Sequence, residues 1–426
     1  MALLNASTAR RAAWGATLAL WLLFPRSVPA GQPSPYPSAT VCAKCHTETY
    51  ESWSRTFHAL SAIDPVFIKS LERAEVGADR ETRKLCLMCH SPTTNLSGDF
   101  DLASPVSREG VTCSFCHSVT LVDHLAGKER FVNDPSRLAI EGAARIEDHH
   151  FEDHSIVRNA EFCAGCHEWV NANGLNILST YSEWKASALA TEGIPCQECH
   201  MPMSLGDSVT TEGSKSIRSS NLHFQMGGHS QAQLVSAARL DVTAQVEGEE
   251  IILDVGVTNA KAGHMLPTGI PNRKMKLLVD LYDRDGELLD RHTQVFSRVI
   301  ADKRGKILED LADQFLHGAR ELADNRIAPR ETRKERTVFD RPPGKDFFLV
   351  EASLQYDIFT PYLVPPIINF TIVTRRLPLT LADEKSGAAV PLTLAILVTV
   401  FLLVTVAMGA LFFGRRGGNR TGERKE

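Results

Sequence analysis

The sequence predicts an α+β protein: a mainly helical, loop-rich first half, then an Ig-like β-sandwich, then a C-terminal transmembrane helix. Three observations predict it. All ten cysteines of the 426 residues lie between Cys42 and Cys199, among short helical stretches. From about Leu234 the apolar pattern changes to the alternation of strands. Ala388 to Phe413 is a run of 26 residues without a charge. The boundaries read as 1–30 for a leader, 31–230 for the cysteine-rich domain, 231–383 for the sandwich, 388–413 for the span and 414–426 for a basic tail. A composition of 43% hydrophobic and 23% charged residues excludes a collagenous, fully disordered or many-pass membrane protein.

In the leader, Arg10 and Arg11 precede an apolar run from Ala12 to Phe24 and the small-residue site Val28-Pro29-Ala30. That order is the one of a secretory signal peptide cleaved near Ala30. Gly31 to Thr40, with three prolines, reads as a flexible connection.

In the cysteine-rich domain every cysteine belongs to a Cys-x-x-Cys-His motif. The five are Cys42-Ala-Lys-Cys45-His46, Cys86-Leu-Met-Cys89-His90, Cys113-Ser-Phe-Cys116-His117, Cys163-Ala-Gly-Cys166-His167 and Cys196-Gln-Glu-Cys199-His200. None remains for a disulfide or a free nucleophilic thiol. The spacing suits covalent haem: two thiols add across the two vinyl groups, and the adjacent histidine reaches the iron as its proximal ligand. Zinc also uses Cys-x-x-Cys pairs, but it takes four ligands and so two pairs per ion, which an odd number of pairs does not supply. The domain is therefore expected to be a haem-packed pentahaem cytochrome c carrying five covalently attached haem c groups. Five haems within 159 residues must themselves form much of the core, and consecutive haems are expected to be neighbours.

A second histidine on an iron closes it to substrate. Ten non-motif histidines are available. His58 shares a helical stretch with Tyr50, Trp53, Phe57 and Leu60, and in His149-His150-Phe-Glu-Asp-His154 one imidazole is expected to be a ligand. His223 and His229 flank a glycine pair that permits close backbone approach to a flat ligand. His264 sits in Gly263-His-Met-Leu-Pro-Thr-Gly269, between two strand runs, and as a ligand it would dock the second domain on the first. His124 stays open as an alternative, as do His149 and His154, while His292 and His317 read as structural and Met201, Met203 and Met226 as packing residues. There is also an echo: Tyr50-Glu-Ser-Trp53 follows the first motif and Tyr181-Ser-Glu-Trp184 precedes the fifth, with His58 five residues beyond one tryptophan and Leu189 beyond the other.

Strand-like runs follow at 240–246, 251–257, 277–282, 333–339 and 348–356, split by turn residues such as Glu247-Gly248 and Asp285-Gly286. Several short strands of this kind suggest a sandwich. Ile300 to Arg326 interrupts them as a charged stretch that reads as a long loop or short helix. Past the uncharged span, Arg415, Arg416, Arg420, Arg424 and Lys425 outnumber Glu423 and Glu426, which puts the tail in the cytoplasm and the bulk of the chain on the periplasmic side of the inner membrane. Residues 31–230 hold 16 Lys+Arg and 25 Asp+Glu, a net of −9, against 22 and 24, a net of −2, for 231–387. Nucleic acid is not an expected partner of such a chain; the acidic half is either simply solvated or steers a basic redox protein.

The chain resembles the multihaem cytochrome c superfamily that includes hydroxylamine oxidoreductase and the tetrahaem cytochrome c of ammonia oxidisers. The likeness lies in 42–58, in Gly110-Val-Thr-Cys-Ser-Phe-Cys-His117, and in Phe162-Cys-Ala-Gly-Cys-His167 through Tyr181-Ser-Glu-Trp184 to Gly193-Ile-Pro-Cys-Gln-Glu-Cys-His-Met-Pro202. The resemblance implies mostly bis-histidine haems and carries the distal role onto His58, His150, His223 and His229. The loop at 263–269 looks like one in the β-sandwich extension of some such cytochromes, which carries a ligand role onto His264. No Cys-x-x-Cys-Lys motif is present, so the lysine-ligated haem of ammonia-forming nitrite reductases is not expected. The expected function is electron relay between a membrane or periplasmic donor and another redox protein. The alternative is an oxidoreductase acting at one open haem on a small nitrogen or sulfur compound.

Overall fold

The computed structural model describes residues 34–76, 80–125, 127, 130–138, 155–211, 214–359 and 367–380. The leader, His149, His150, His154, the uncharged span at 388–413 and the basic tail lie outside them. Among the described residues no helix is long and apolar enough to cross a membrane.

The first half is built of short helices: α1 (Ala39–Cys42), α2 (Thr47–Trp53), α3 (Phe57–Leu60), α4 (Pro65–Ala74), α5 (Arg80–His90), α6 (Thr94–Ser97), α7 (Cys113–Ser118), α8 (Ala160–His167), α9 (Thr180–Lys185), α10 (Ala188–Thr191) and α11 (Cys196–His200). Their starts are specified locally. The Thr56 hydroxyl accepts from the Ala59 N–H to open α3, and Asp64 accepts from Phe67 to open α4, with Pro65 in its first turn. Antiparallel two-stranded ribbons join them: β1 (Val119–Val122) with β2 (Phe131–Asn133), β3 (Glu168–Val170) with β4 (Asn176–Ser179), and β5 (Met203–Thr211) with β6 (Ser214–Asn221). Among the described residues, eleven buried apolar residues form clusters here, in three separate groups. The sandwich has one continuous core of 22.

Helix α12 (Gln231–Ala237) leads into β7 (Ala238–Glu247), β8 (Glu250–Asn259), β9 (Lys274–Tyr282), β10 (Leu288–Phe296), β11 (Arg298–Ala301), α13 (Leu311–His317), β12 (Arg320–Asp324), β13 (Thr332–Asp340), β14 (Phe347–Phe359) and β15 (Ile367–Thr380). Two sheets face each other, β7-β8-β13 and β10-β9-β14-β15, with Leu240, Leu253 and Val255 of one packed in a common core with Leu277, Val279, Phe348 and Leu354 of the other. The fourth strand lies beside the third, whereas constant-type Ig domains put it in the opposite sheet. Each strand-like run read from the sequence falls inside an observed strand. The edge strands β10 and β15 escaped that reading because Asp290 and Arg291, and Arg375 and Arg376, interrupt their apolar alternation. Pro378 sits in β15 without cost to a ladder because that strand is an edge.

The charged stretch after Ile300 is neither a plain loop nor a single helix. It forms α13 and the ribbon β11-β12, an excursion that turns back onto the first half. Arg298 donates to the carbonyls of Asn176 at 2.6 Å and Ile177 at 3.2 Å. The amides of Asn171 and Asn173 donate to the Gly318 carbonyl at 2.7 and 3.1 Å. Arg73 of α4 pairs with Asp310 at the start of α13 at 2.9 Å.

Candidate haem site

All five motifs lie at helices. His90, His167 and His200 are the last residues of α5, α8 and α11, α7 contains the third motif, and the first runs from the end of α1 to the N-cap of α2. Helical spacing sets the two thiols three residues apart on one face and brings the histidine beside them. Cysteines of different motifs are near neighbours: Cys42 of Cys113, Cys89 of Cys166, and Cys163 of Cys196. Cys116 is close enough to act electrostatically on both Cys163 and Cys166. The first motif therefore adjoins the third, the third the fourth, and the fourth both the second and the fifth. The third motif comes beside the first because the chain returns past α2, where Trp53 donates to the Val111 carbonyl.

Three motif histidines face a second imidazole. His58 lies across from His167 with ring centres 6.2 Å apart, His223 across from His117 at 6.3 Å, and His264 across from His200 at 6.2 Å. A metal–imidazole bond of about 2.0 Å, with the ring centre roughly 1.1 Å behind the nitrogen, puts two imidazoles on one ion with centres about 6.2 Å apart. The ring-centre distances of the three pairs therefore match what one ion held between two imidazoles would require. Three of these rings have their Nδ1 engaged: that of His223 donates to the Asn221 carbonyl at 2.8 Å, that of His264 to the Met265 carbonyl at 2.9 Å, and that of His200 to the Met226 carbonyl. A donating Nδ1 leaves Nε2 with its lone pair free for a metal. Burial holds His58 and His167 neutral, at about 4 and about 3, helped by neighbouring histidines. The residues present fit haem: paired thiols, a proximal imidazole, and an opposed imidazole with a gap between.

The remaining candidates are placed differently. His90 donates from Nδ1 to the Ser61 carbonyl at 3.0 Å and stacks on Phe67 at 3.8 Å; among the described residues no second imidazole is seen across from it. His229 is packed on Phe57 at 4.0 Å, and His124 lies 5.0 Å from the Tyr181 ring. His150 lies outside the described residues.

The aromatic echo has a structural meaning. Trp53 donates its indole N–H to the Val111 carbonyl, two residues before the third motif, and Trp184 donates to Ile194, two residues before the fifth. Each tryptophan also contacts its tyrosine, at 5.8 Å for Tyr50 and 5.6 Å for Tyr181. Gly110 and Gly193 precede those carbonyls with φ of +65° and +73°. Thus the stretch that joins motifs one and three and the stretch that joins motifs four and five reuse one device, and each joins two motifs whose cysteines are near neighbours.

Sequence reading missed the residues that hold His264. Glu183, inside the second echo, accepts from the Met265 N–H at 3.1 Å, the Thr268 hydroxyl at 2.6 Å and Arg326 at 2.7 Å. Gly263 brings the loop backbone against the same element: a Cβ there would stand 3.0 Å from Leu189 and 3.1 Å from Trp184. Leu189 occupies the place corresponding to His58, and it is where the second domain rests. The only prior signal was the echo itself.

Residues 41–118 match the family model for cytochrome c554 and c-prime. No curated protein matches the sequence. Among solved structures, a penta-heme cytochrome c552 from Thermochromatium tepidum superposes with a TM-score of 0.64 at 23% identity, covering 82% of this chain and all of that one. A beta-glucuronidase of Bacteroides uniformis overlaps 33% of this chain and 13% of its own at 14% identity, with a TM-score of 0.17 that carries no argument. The chain shares the fold of the penta-heme protein along most of its length, and with the family match this supports a multihaem c-type cytochrome with covalently bound haem c.

Proposed function

We propose that the protein is a pentahaem electron-transfer cytochrome, exported by its leader and tethered by its C-terminal helix to the inner membrane, with haem and β domains in the periplasm. The observation that carries the reading is the set of imidazole pairs His58–His167, His117–His223 and His200–His264, each spaced for one doubly ligated iron. Each motif holds its group through both cysteines and its histidine, and bound haem c supplies an iron that gains and loses one electron. With both imidazoles of a pair as its ligands the group would offer no position for substrate, so these residues would serve transfer and not turnover. The neighbouring cysteines support an order of first, third, fourth and fifth motif, with the second branching from the fourth. Partners are then redox proteins that meet the two ends of that order.

The test is electron paramagnetic resonance of the oxidised holoprotein, integrated against total iron. Five haems per chain, with at least the three paired ones low-spin, is the expected result; a high-spin majority would end the relay reading.

A second reading has one observation behind it. Among the described residues His90 faces Phe67 and no imidazole. An open iron at the second motif would make the chain an oxidoreductase for a small nitrogen or sulfur compound, fed by the other four. One high-spin haem in five, perturbed by such a molecule, is the result that would favour it.

A further inference from the structure

We propose that Asn272 and Arg273, at the entry to β9 in the second domain, form a seat for a haem propionate beside the His58–His167 pair. The inference rests on the haem proposed there. Asn272 is 6% exposed, and neither its Nδ2 nor its Oδ1 has a hydrogen-bond partner. The Nε of Arg273 is likewise buried and unpartnered, its guanidinium making one hydrogen bond, from Nη1 to the Tyr356 hydroxyl at 3.3 Å. Among the described residues no carboxylate pairs with it.

The backbone is shaped around this guanidinium. A Cβ on Gly228 would stand 2.7 Å from Arg273 Nη1 and 2.8 Å from the Tyr356 hydroxyl, and Gly269, at φ +88°, lies against the same group. Contacts place it: Gly228 lies against Arg273, the next residue, His229, packs on Phe57 at 4.0 Å, and Phe57 adjoins His58, whose ring lies across from His167 of the fourth motif. A guanidinium Nε and the amide Nδ2 of the preceding residue, both buried and without a partner, are donors that suit an anion. Two thioether bonds and two imidazoles use the vinyl groups and the iron of a haem c and leave its carboxylates to be met by the protein. The fixed charge then has a second effect, since a cation beside the haem favours the reduced iron.

The experiment uses the full-length holoprotein with Arg273→Gln, Arg273→Lys and Asn272→Asp. Haem-to-protein ratio and the low-spin count come first, because a missing haem or low-spin signal in the unmodified protein would refute the functional reading itself. Potentiometric titration follows. The expected result is an unchanged haem ratio with one midpoint lowered in Arg273→Gln and in Asn272→Asp and nearly restored in Arg273→Lys. The shifted component is the one that turns high-spin in His58→Ala. Unchanged midpoints in both Arg273→Gln and Asn272→Asp would overturn the proposal. So would a midpoint of the unmodified protein that follows chloride or phosphate concentration, which would assign the seat to a free anion.

Discussion

Arg326 reaches across the domain boundary to Glu183, Nη1 to Oε1 at 2.7 Å, with both side chains no more than 9% exposed. The other Glu183 oxygen fixes the loop that carries His264 through Met265 and Thr268, and Asp324 pairs with Arg326 at 2.7 Å from the sandwich side. One buried carboxylate thus couples the domain contact to the imidazole that faces His200.

Removing the arginine leaves that carboxylate buried and unpaired. Arg326→Met is expected to cost about 3–5 kcal/mol in denaturant unfolding, while Arg326→Met with Glu183→Gln recovers part of the loss. An unfolding midpoint indifferent to Arg326→Met would show that the pair does not hold the domains together.

The same network makes the contact acid-sensitive. Burial pushes the Asp324 carboxyl up, but hydrogen bonding and attraction from Arg326 outweigh it and hold the group below the usual carboxylate range. A depressed folded-state value means the unfolded chain binds the proton more readily. The stabilisation is therefore complete above the unfolded value, near 3.9 on the ordinary scale (about 4), and is lost as pH falls through the folded one. Urea midpoints should be flat from about pH 5 to 7 and fall below about 4, with a shallower fall in Asp324→Asn. An identical acid limb in the two proteins would show that Asp324 is not the group responsible.

The motifs were legible because covalent attachment dictates their spacing, and His58, His223 and His264 stood out by their surroundings. Their pairing with His167, His117 and His200 was not legible, since an imidazole that faces a motif histidine arrives through tertiary structure from any distance along the chain. His229 resembled them in sequence, yet it packs on Phe57. Central strands showed their alternation, whereas edge strands carry charges on the open side. Glu183 and Arg326 look in sequence like any solvated charges; only docking buries them. The stretch after Ile300 resisted reading for the same reason, because its apolar face and its carbonyls are satisfied by the other domain.

Gly318 lies at the centre of that excursion. Its φ of −53° suits any residue, so the demand for glycine is one of space: a Cβ would clash with the Gln314 carbonyl and meet Ile177 and Ile300 at 3.0 Å. Gly318→Ala should cost about 1–3 kcal/mol by overpacking, and weaken the hydrogen bonds from Asn171 and Asn173. Gly305 has φ +87° and open space around it, so Gly305→Ala should cost only about 1 kcal/mol, as turn strain with no effect on docking. Equal losses in the two variants, measured by denaturant unfolding, would refute the steric account.

His264 gives the sharpest separation of ligand from scaffold. Its imidazole faces His200 at 6.2 Å, while the loop on either side is held independently by Glu183 and Gly263. His264→Ala should therefore leave the domains docked and the haem ratio unchanged, yet convert one low-spin haem to high-spin. His264→Met should restore a low-spin iron and raise its potential, since a thioether favours the reduced metal more than imidazole does. Arg326→Met tests the converse: it loosens the loop without removing the ligand, so its high-spin fraction should grow with denaturant while that of His264→Ala is already complete. A spectrum unchanged by His264→Ala would take the sandwich out of the haem's coordination sphere and leave it a docked module alone.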